Sequence, residues 1–376
     1  MAAPHPTTAA GEPMVSQKHV YEAVASVESS LFAGRDLGDL GLVKVARKKV
    51  GGKVKLDLRL PSPNARAALS ERLEEALAPF GDGADINIEV MGEKTAAAWM
   101  QEIVKSSGPA VGEPGCPTRT IAVSSGKGGV GKSSVAANLG VALRRAGKKA
   151  GILDGDIWGF SIPSMMGIAQ PPTLIGDSIV PPAAHGVKVM SMDYFVGDDK
   201  AVIWRGPMLH RAVEQFLKDV FWDELDFLIV DMPPGTGDIA ISMAQFLPRA
   251  QVLVVTTPQP TAQRVARRAA LMAGEVDQEV IGIVENMSWF VGDDGKRYEL
   301  FGAGGGKALS EELGVDLMAQ IPLIPDMGRG ADDGEPAVVA AAGSEAEEAF
   351  DELAAAVVER RPRVRTNPNL VINPVS

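Results

Sequence analysis

The sequence predicts an α/β protein: a mostly parallel sheet covered by helices on both faces, preceded by a small α+β domain. Three observations predict it. From residue 120 onward, short runs of consecutive apolar residues alternate with amphipathic stretches. A glycine-rich loop lies between the first such run and the first such stretch. Residues 15–95 keep a different rhythm, with Val54, Leu56, Leu58 and Leu60 apolar at every second position. Runs that are apolar throughout are strands buried on both faces, the mark of a parallel sheet between helices. Alternation marks a strand with one wet face.

Residues 1–14 are small, polar and proline-containing, with no apolar core of a signal peptide, and read as a disordered leader. Within 15–95 the patterning predicts a helix around Val20–Phe32 and strands at Gly41–Val45 and Val54–Leu60, joined by a turn at Lys48–Gly52. A helix over Ala65–Leu77 and a strand over Asp85–Val90 complete an α–β–β–α–β module. Residues 96–117 are assigned to a linker, because 106–118 are rich in Gly and Pro. The α/β domain spans 118–360. Its strands are predicted at Thr120–Ser124, Ala150–Leu153, Phe227–Val230, Gln251–Thr256, Val280–Val284 and Leu317–Ile321. Helices are predicted over Ser133–Ala146 and Ala262–Ala273. Residues 361–376, with three prolines, read as an extended tail.

The 376 residues carry 37 Lys and Arg against 48 Asp and Glu, a net charge of −11. That balance argues against broad nucleic-acid binding, since a backbone-binding face needs excess cations. One cysteine excludes an internal disulfide and any Cys-x-x-Cys metal site made by a single subunit. The apolar runs are strand-sized, far short of a membrane span. A cytoplasmic protein is the expectation.

The sharpest motif runs from Gly126 to Ser133, Gly-Lys-Gly-Gly-Val-Gly-Lys-Ser, which fits G-x-x-x-x-G-K-[ST] between a strand and a helix. Glycines there let backbone N–H groups converge on phosphate oxygens while the helix presents its positive end. Gly126, Gly128, Gly129, Val130, Gly131, Lys132, Ser133 and Ser134 are therefore candidate nucleotide-binding residues. Lys132 would reach the β- and γ-phosphates, and the Ser133 hydroxyl would ligate Mg²⁺. Such a loop needs carboxylates to hold the metal and orient water. Asp154 and Asp156 close the second strand, and Asp231 closes the run Phe227–Val230. Carboxyl ends of parallel strands face the ligand crevice, so these three can converge on the phosphates.

The string Gly126–Ser133, with the extra Lys127 after its first glycine, resembles the deviant P-loop ATPases of the MinD/ParA-like class. The resemblance implies that Lys127 reaches across a homodimer to the partner's phosphates. It also implies that Asp156 positions the attacking water, Asp154 supports Mg²⁺ and Asp231 acts on the metal through water. Asn286 matches the asparagine that reads the adenine edge, and Pro322 the segment that packs on the base, which favours ATP. Further strings look like the Mrp/ApbC family of ATP-hydrolysing iron–sulfur cluster carriers: Asp154–Pro163, Trp204–Met208, Asp231–Asp238, Glu285–Ser288 and Ile321–Leu323. The N-terminal module is similar to the iron–sulfur-assembly domain that bacterial members fuse ahead of the ATPase.

The chain departs from that family at one place. Members with a carrier motif have Cys-x-x-Cys shortly after Glu-Asn-Met-Ser. Here the segment reads Trp289-Phe290-Val291-Gly292-Asp293-Asp294-Gly295-Lys296, and the Ser62-Pro63 turn of the N-terminal module has no cysteine. Only Cys116 remains, so a dimer offers two thiolates where a common cluster takes four. Aspartates 293 and 294 are hard donors that suit such a cluster poorly. The resemblance thus implies a homodimeric Mg²⁺-ATPase that transfers iron–sulfur clusters to apoproteins, served by client or assembly proteins. An ATP-switched scaffold without its own cluster and a ParA-type DNA-organising ATPase are the alternatives. For the latter, Arg264, Arg267 and Arg268 form the only basic patch of note. The tail, broken by Pro362, lacks the amphipathic helix of a membrane-bound MinD.

Overall fold

The computed structural model describes residues 17–48, 53–80, 83–156, 159, 161–195, 206–235, 237–292 and 294–362. The expected leader, the turn at 49–52, Trp158, Trp204, Arg205, Asp293 and the tail beyond Pro362 lie outside these residues.

In chain order the first elements are α1 (Gln17–Ala25), β1 (Val43–Lys48), β2 (Val54–Leu60), α2 (Ala67–Leu77), β3 (Ala84–Val90) and α3 (Glu93–Ser106). Next come β4 (Arg119–Ser125), α4 (Lys132–Arg145), β5 (Ala150–Asp154), a short α5 (Ile162–Met165) and four small strands. These are β6 (Thr173–Ile175), β7 (Ser178–Val180), β8 (Ala183–Ala184) and β9 (Val187–Ser191). The remainder is α6 (Gly206–Lys218), β10 (Phe227–Asp231), α7 (Asp238–Phe246), β11 (Gln251–Thr256), α8 (Pro260–Glu275), β12 (Glu279–Val291), β13 (Arg297–Tyr298), α9 (Gly305–Leu313), β14 (Asp316–Leu323), α10 (Pro325–Asp333), α11 (Ala337–Ala340) and α12 (Glu345–Glu359).

The chain forms two compact units. The first comprises the described residues up to Cys116 together with Ile168–Met190 and Gln215–Glu224. Two segments that the sequence assigned to the α/β domain therefore group with the N-terminal module. In this unit β2 is central, antiparallel to β1 and parallel to β3. Its alternation of apolar and polar residues buries Val54, Leu56, Leu58 and Leu60 against Leu69 and Leu73 of α2. Each such leucine contributes roughly 1.5–3 kcal/mol by leaving water. Phe32 packs edge-on against Trp99 and Phe221, with ring centroids 5.5 and 5.9 Å apart.

Helix α3 corrects the predicted linker over 96–117. Ala96 and Met100 are buried on one face of it, with Trp99 and Ile103 packed beside them, and Glu93 and Lys105 complement its dipole at the two ends. The Gly/Pro-rich stretch begins only where this helix stops. The first helix is shorter than predicted, ending at Ala25.

The second unit holds the remaining residues, Pro117–Gly167, Ser191–Glu214 and from Leu225 onward. Its strands lie in the order β13–β12–β11–β4–β10–β5, with β14 also on β12. Every pairing among β5, β10, β4, β11, β12 and β14 is parallel, and β13 pairs antiparallel with β12. The predicted parallel sheet is observed, and β4, β5, β10 and β11 are buried along nearly their whole length. Strand β12 runs to Val291, well past the predicted end at Val284. No helix among the described residues is long and apolar enough to cross a membrane.

Candidate nucleotide site

The site forms at the carboxyl ends of β4, β10 and β5. Register places Asp231 opposite Val123 on one side and opposite Asp154 on the other. Two carboxylates are thereby set side by side at the crevice where parallel sheets bind ligands. Between β4 and α4 the chain turns through Gly126–Gly131. Gly129 and Gly131 take φ of 78° and 80°, the left-handed region that glycine enters without steric cost. Gly126 is required by close approach, because a Cβ there would collide with the backbone carbonyl of Val265 in α8.

Lys132 opens α4 and is buried between two acids. Its Nζ donates to Asp231 Oδ1 at 2.5 Å and lies 3.5 Å from Asp156 Oδ2. The Ser133 hydroxyl donates to Asp231 Oδ2 at 2.6 Å. Asp156 N–H and Ser191 Oγ donate to the two Asp154 oxygens at 3.3 and 3.1 Å. Burial first, and the Asp231 carboxylate second, push Asp154 up to about 7. Burial pushes Asp231 up as well, against the pull of the Lys132 ammonium. Three buried carboxyls, Asp154, Asp156 and Asp231, thus lie around the one ammonium of Lys132 at this end of the sheet.

The predicted residues do not all meet. Lys132, Ser133, Asp156 and Asp231 share one network. Asp154 touches neither Ser133 nor Lys132 directly and instead braces the backbone of Asp156. Lys127 stands apart, its Nζ donating to Gln259 Oε1 at 3.4 Å while its carbonyl accepts from Ser125 Oγ at 3.0 Å. Ser134 has its carbonyl bonded by Asn138 Nδ2. Asn286 lies inside β12, not after it, and its Nδ2 donates to Val130 O at 2.9 Å. Next to it Met287 has φ of 57°, and the register with β14 shifts between Asn286 and Phe290. That irregularity turns the asparagine toward the loop. Pro322 is buried in β14. His210 lies on α6.

Sequence reasoning missed Ser191, the hydroxyl partner of Asp154, and Gln259. Nothing local in the sequence marks Ser191. Gln259 carries a faint signal, sitting between two prolines just ahead of a helix.

The residues fit Mg²⁺ and a nucleotide triphosphate. Mg²⁺ takes one or two carboxylates plus phosphate oxygens rather than an all-protein cage. Ser133 and Asp231 supply such a half-set, and no cluster of three His, Cys, Asp or Glu side chains is arranged for a metal among the described residues. At Gly128 and Gly129 a Cβ would meet nothing within 4 Å, so the crest of the loop is open.

The segment where the family motif has cysteines is a hairpin of β12 and β13. Trp289 Nε1 donates to Glu345 Oε2 at 2.9 Å, and Arg297 Nη2 to Glu345 Oε1 at 3.1 Å. The Arg297 guanidinium stacks 4.5 Å from the centre of the Trp289 ring. Cys116, the sole thiol, is half-buried in the first unit.

Comparison with known proteins gives the family and the fold. The family model described as the ParA-type NUBPL iron-transfer P-loop NTPase matches residues 117–358. The iron-sulfur cluster carrier protein of Mycobacterium leprae is 42% identical over 323 residues, covering 82% of this chain and 84% of that protein. The iron-sulfur cluster carrier protein of Bacillus subtilis is 39% identical over 321 residues, covering 82% and 89%. Among solved structures, the nucleotide-binding protein of Archaeoglobus fulgidus in complex with ADP aligns with TM-score 0.51 and 36% identity, covering 57% of this chain and 86% of that one. The septum site-determining protein MinD of Pyrococcus horikoshii, complexed with Mg-ADP, aligns with TM-score 0.51 and 24% identity, covering 64% and 96%, a likeness of fold.

Proposed function

This chain belongs to the NUBPL iron-transfer P-loop NTPase family, and from that premise we propose that it is a cytoplasmic, homodimeric Mg-ATPase whose cycle serves the transfer of iron–sulfur clusters to apoproteins. The observation that carries the nucleotide reading is the buried contact of Lys132 with Asp231 and Asp156. A lysine so placed can exchange two carboxylates for β- and γ-phosphates with a small movement of its ammonium. That exchange leaves Asp156 free to orient water and take its proton, and leaves Asp231 beside Ser133. Ser133 and Asp231 are the residues that would hold Mg²⁺, which supplies charge neutralisation at the phosphates. Lys127 from the partner subunit and the loop amides add fixed positive charge where the transition state gains negative charge. Asn286, on the loop carbonyl, and Pro322 are assigned to the adenine.

The cluster is cargo, and this chain lacks the thiolates for it. A homodimer supplies two, both Cys116, against the four of a common cluster. The relatives' carrier names and the missing pair are reconciled if the thiolates come from a client or assembly protein and the ATPase times the hand-over. The closed Trp289–Arg297–Glu345 hairpin favours this scaffold form of the function. Anaerobic reconstitution with iron and sulfide, on wild type and Cys116→Ala, tests it by iron per dimer and visible absorption. The expected result is no stoichiometric cluster in either protein. A cluster in wild type that is lost in the variant would make Cys116 a ligand and overturn the scaffold form.

A further inference from the structure

The side chain of Lys127 is held by an uncharged residue, whereas Lys132, the other lysine of the loop, lies against two carboxylates. Its backbone is fixed, since Ser125 Oγ donates to its carbonyl at 3.0 Å. Its ammonium is half-buried and donates to Gln259 Oε1 at 3.4 Å. Gln259 sits on an unusually stiff mount. Pro258 and Pro260 flank it, and its own φ of −65° and ψ of 135° are those an X-Pro pair favours. The Pro258 carbonyl accepts from Gln263 Nε2 at 3.0 Å and lies against Gly305, where a Cβ would collide with it. Helix α8 begins at the next residue and is pressed onto Gly126 through Val265. The glutamine and the loop it serves are therefore packed together through α8.

We propose that Gln259 is the positioning residue for Lys127: from the Pro258–Pro260 mount, its amide oxygen orients the ammonium toward the phosphates of the partner subunit without cancelling its charge. The chemistry explains the residue type. A carboxylate at this place would also hold the lysine but would neutralise the cation that must meet a polyanion. An amide oxygen orients it by one hydrogen bond and leaves the full charge. Pre-setting a long, rotamer-rich side chain removes part of the ordering cost that dimerisation would otherwise carry. The inference rests on the reading that Lys127 acts across a homodimer.

The test uses the full chain with Mg-ATP and follows turnover, the ATP-dependent dimer by sedimentation, and thermal melting, on four variants. Lys127→Ala tests the underlying reading and abolishes the ATP-dependent dimer. Gln259→Ala lowers turnover by about tenfold, the scale of a hydrogen bond to a charged group, with melting unchanged. Gln259→Glu weakens the dimer more than Gln259→Ala does, because it keeps the contact and removes the charge. In a Lys127→Ala background, Gln259→Ala changes nothing further. A purely structural glutamine would lower the melting temperature of the single and the double variant alike, and that result overturns the proposal. So does unchanged or faster turnover in Gln259→Ala while Lys127→Ala is damaged. If Lys127→Ala itself dimerises normally with ATP, the dimer reading falls and the role of Gln259 with it.

Discussion

Strand β12 connects two regions that treat charge in opposite ways. At Asn286 it meets the phosphate loop, where Asp154, Asp231 and Lys132 are buried and the carboxyls are pushed upward. Beyond Trp289 it forms the hairpin, where Asp294 and Glu345 are exposed and pushed downward. Asp294 is held by the Lys296 amide and the Tyr298 hydroxyl, and Glu345 by Trp289 and Arg297. The first region has charge that its own chain does not balance, so a ligand has something to complete. In the second, Asp294 and Glu345 are each answered by neighbours. Buried carboxyls pushed upward are the kind of group that gathers at functional sites.

The largest test of that contrast is Asp156→Ala. With Asp156 in its proposed role of orienting water, this loss is expected to cut turnover by about 10²–10⁴-fold, with ATP affinity nearly kept. A variant that binds and hydrolyses like wild type would remove the loop region from the chemistry.

The next effect is on stability and pH. Asp154 has its folded pKa raised from 3.8 to about 7. The folded state therefore holds a proton that the unfolded state releases between those values. Its contribution is fully present below pH 3.8 and is lost as pH rises through about 7. Asp154→Asn should melt higher than wild type at pH 8 without nucleotide, with the gap closing toward pH 4. A gap of equal size at both pH values would show that titration at this position is not its origin.

The smallest effect belongs to the hairpin. Glu345→Ala removes the partner of the half-buried Trp289 and the exposed Arg297, and is expected to cost no more than about 1 kcal/mol in a denaturant melt. ATP turnover stays at the wild-type level. A large loss of turnover would mean that the hairpin shares in the nucleotide site and would erase the contrast between the two regions.

Much of this was legible because the signals were local. Consecutive apolar residues marked β4, β5, β10 and β11, and the spacing from Gly126 to Ser133 marked the turn between β4 and α4. The ends of the apolar runs offered Asp154, Asp156 and Asp231, and resemblance added their roles and the candidates Asn286 and Pro322. Helix α3 was overlooked although Ala96, Met100 and Ile103 stand at helical spacing, because the Gly/Pro-rich stretch behind it drew the boundary too early. The length of β12 was overlooked because Glu285, Asn286 and Ser288 read as a polar loop. Their side chains are in fact buried, with Glu285 taking hydrogen bonds from Ser288, Gln320 and the Gly306 amide. Polar residues read as a loop until the tertiary partners that satisfy them are known.

By itself the sequence determined the α/β layering, the phosphate loop, the acidic strand ends and the lack of a thiol pair. Each of these is carried by neighbours along the chain or by bare composition. Only the tertiary structure decided that Lys132 lies between Asp231 and Asp156, that Ser191 braces Asp154, that Asn286 holds the loop and that Gln259 holds Lys127. Those contacts join residues from 24 positions apart (Lys132 to Asp156) to 156 apart (Val130 to Asn286). No local periodicity encodes them. They exist because parallel strands bring their carboxyl ends to one edge, where a buried charge must find its partner or be left to a ligand.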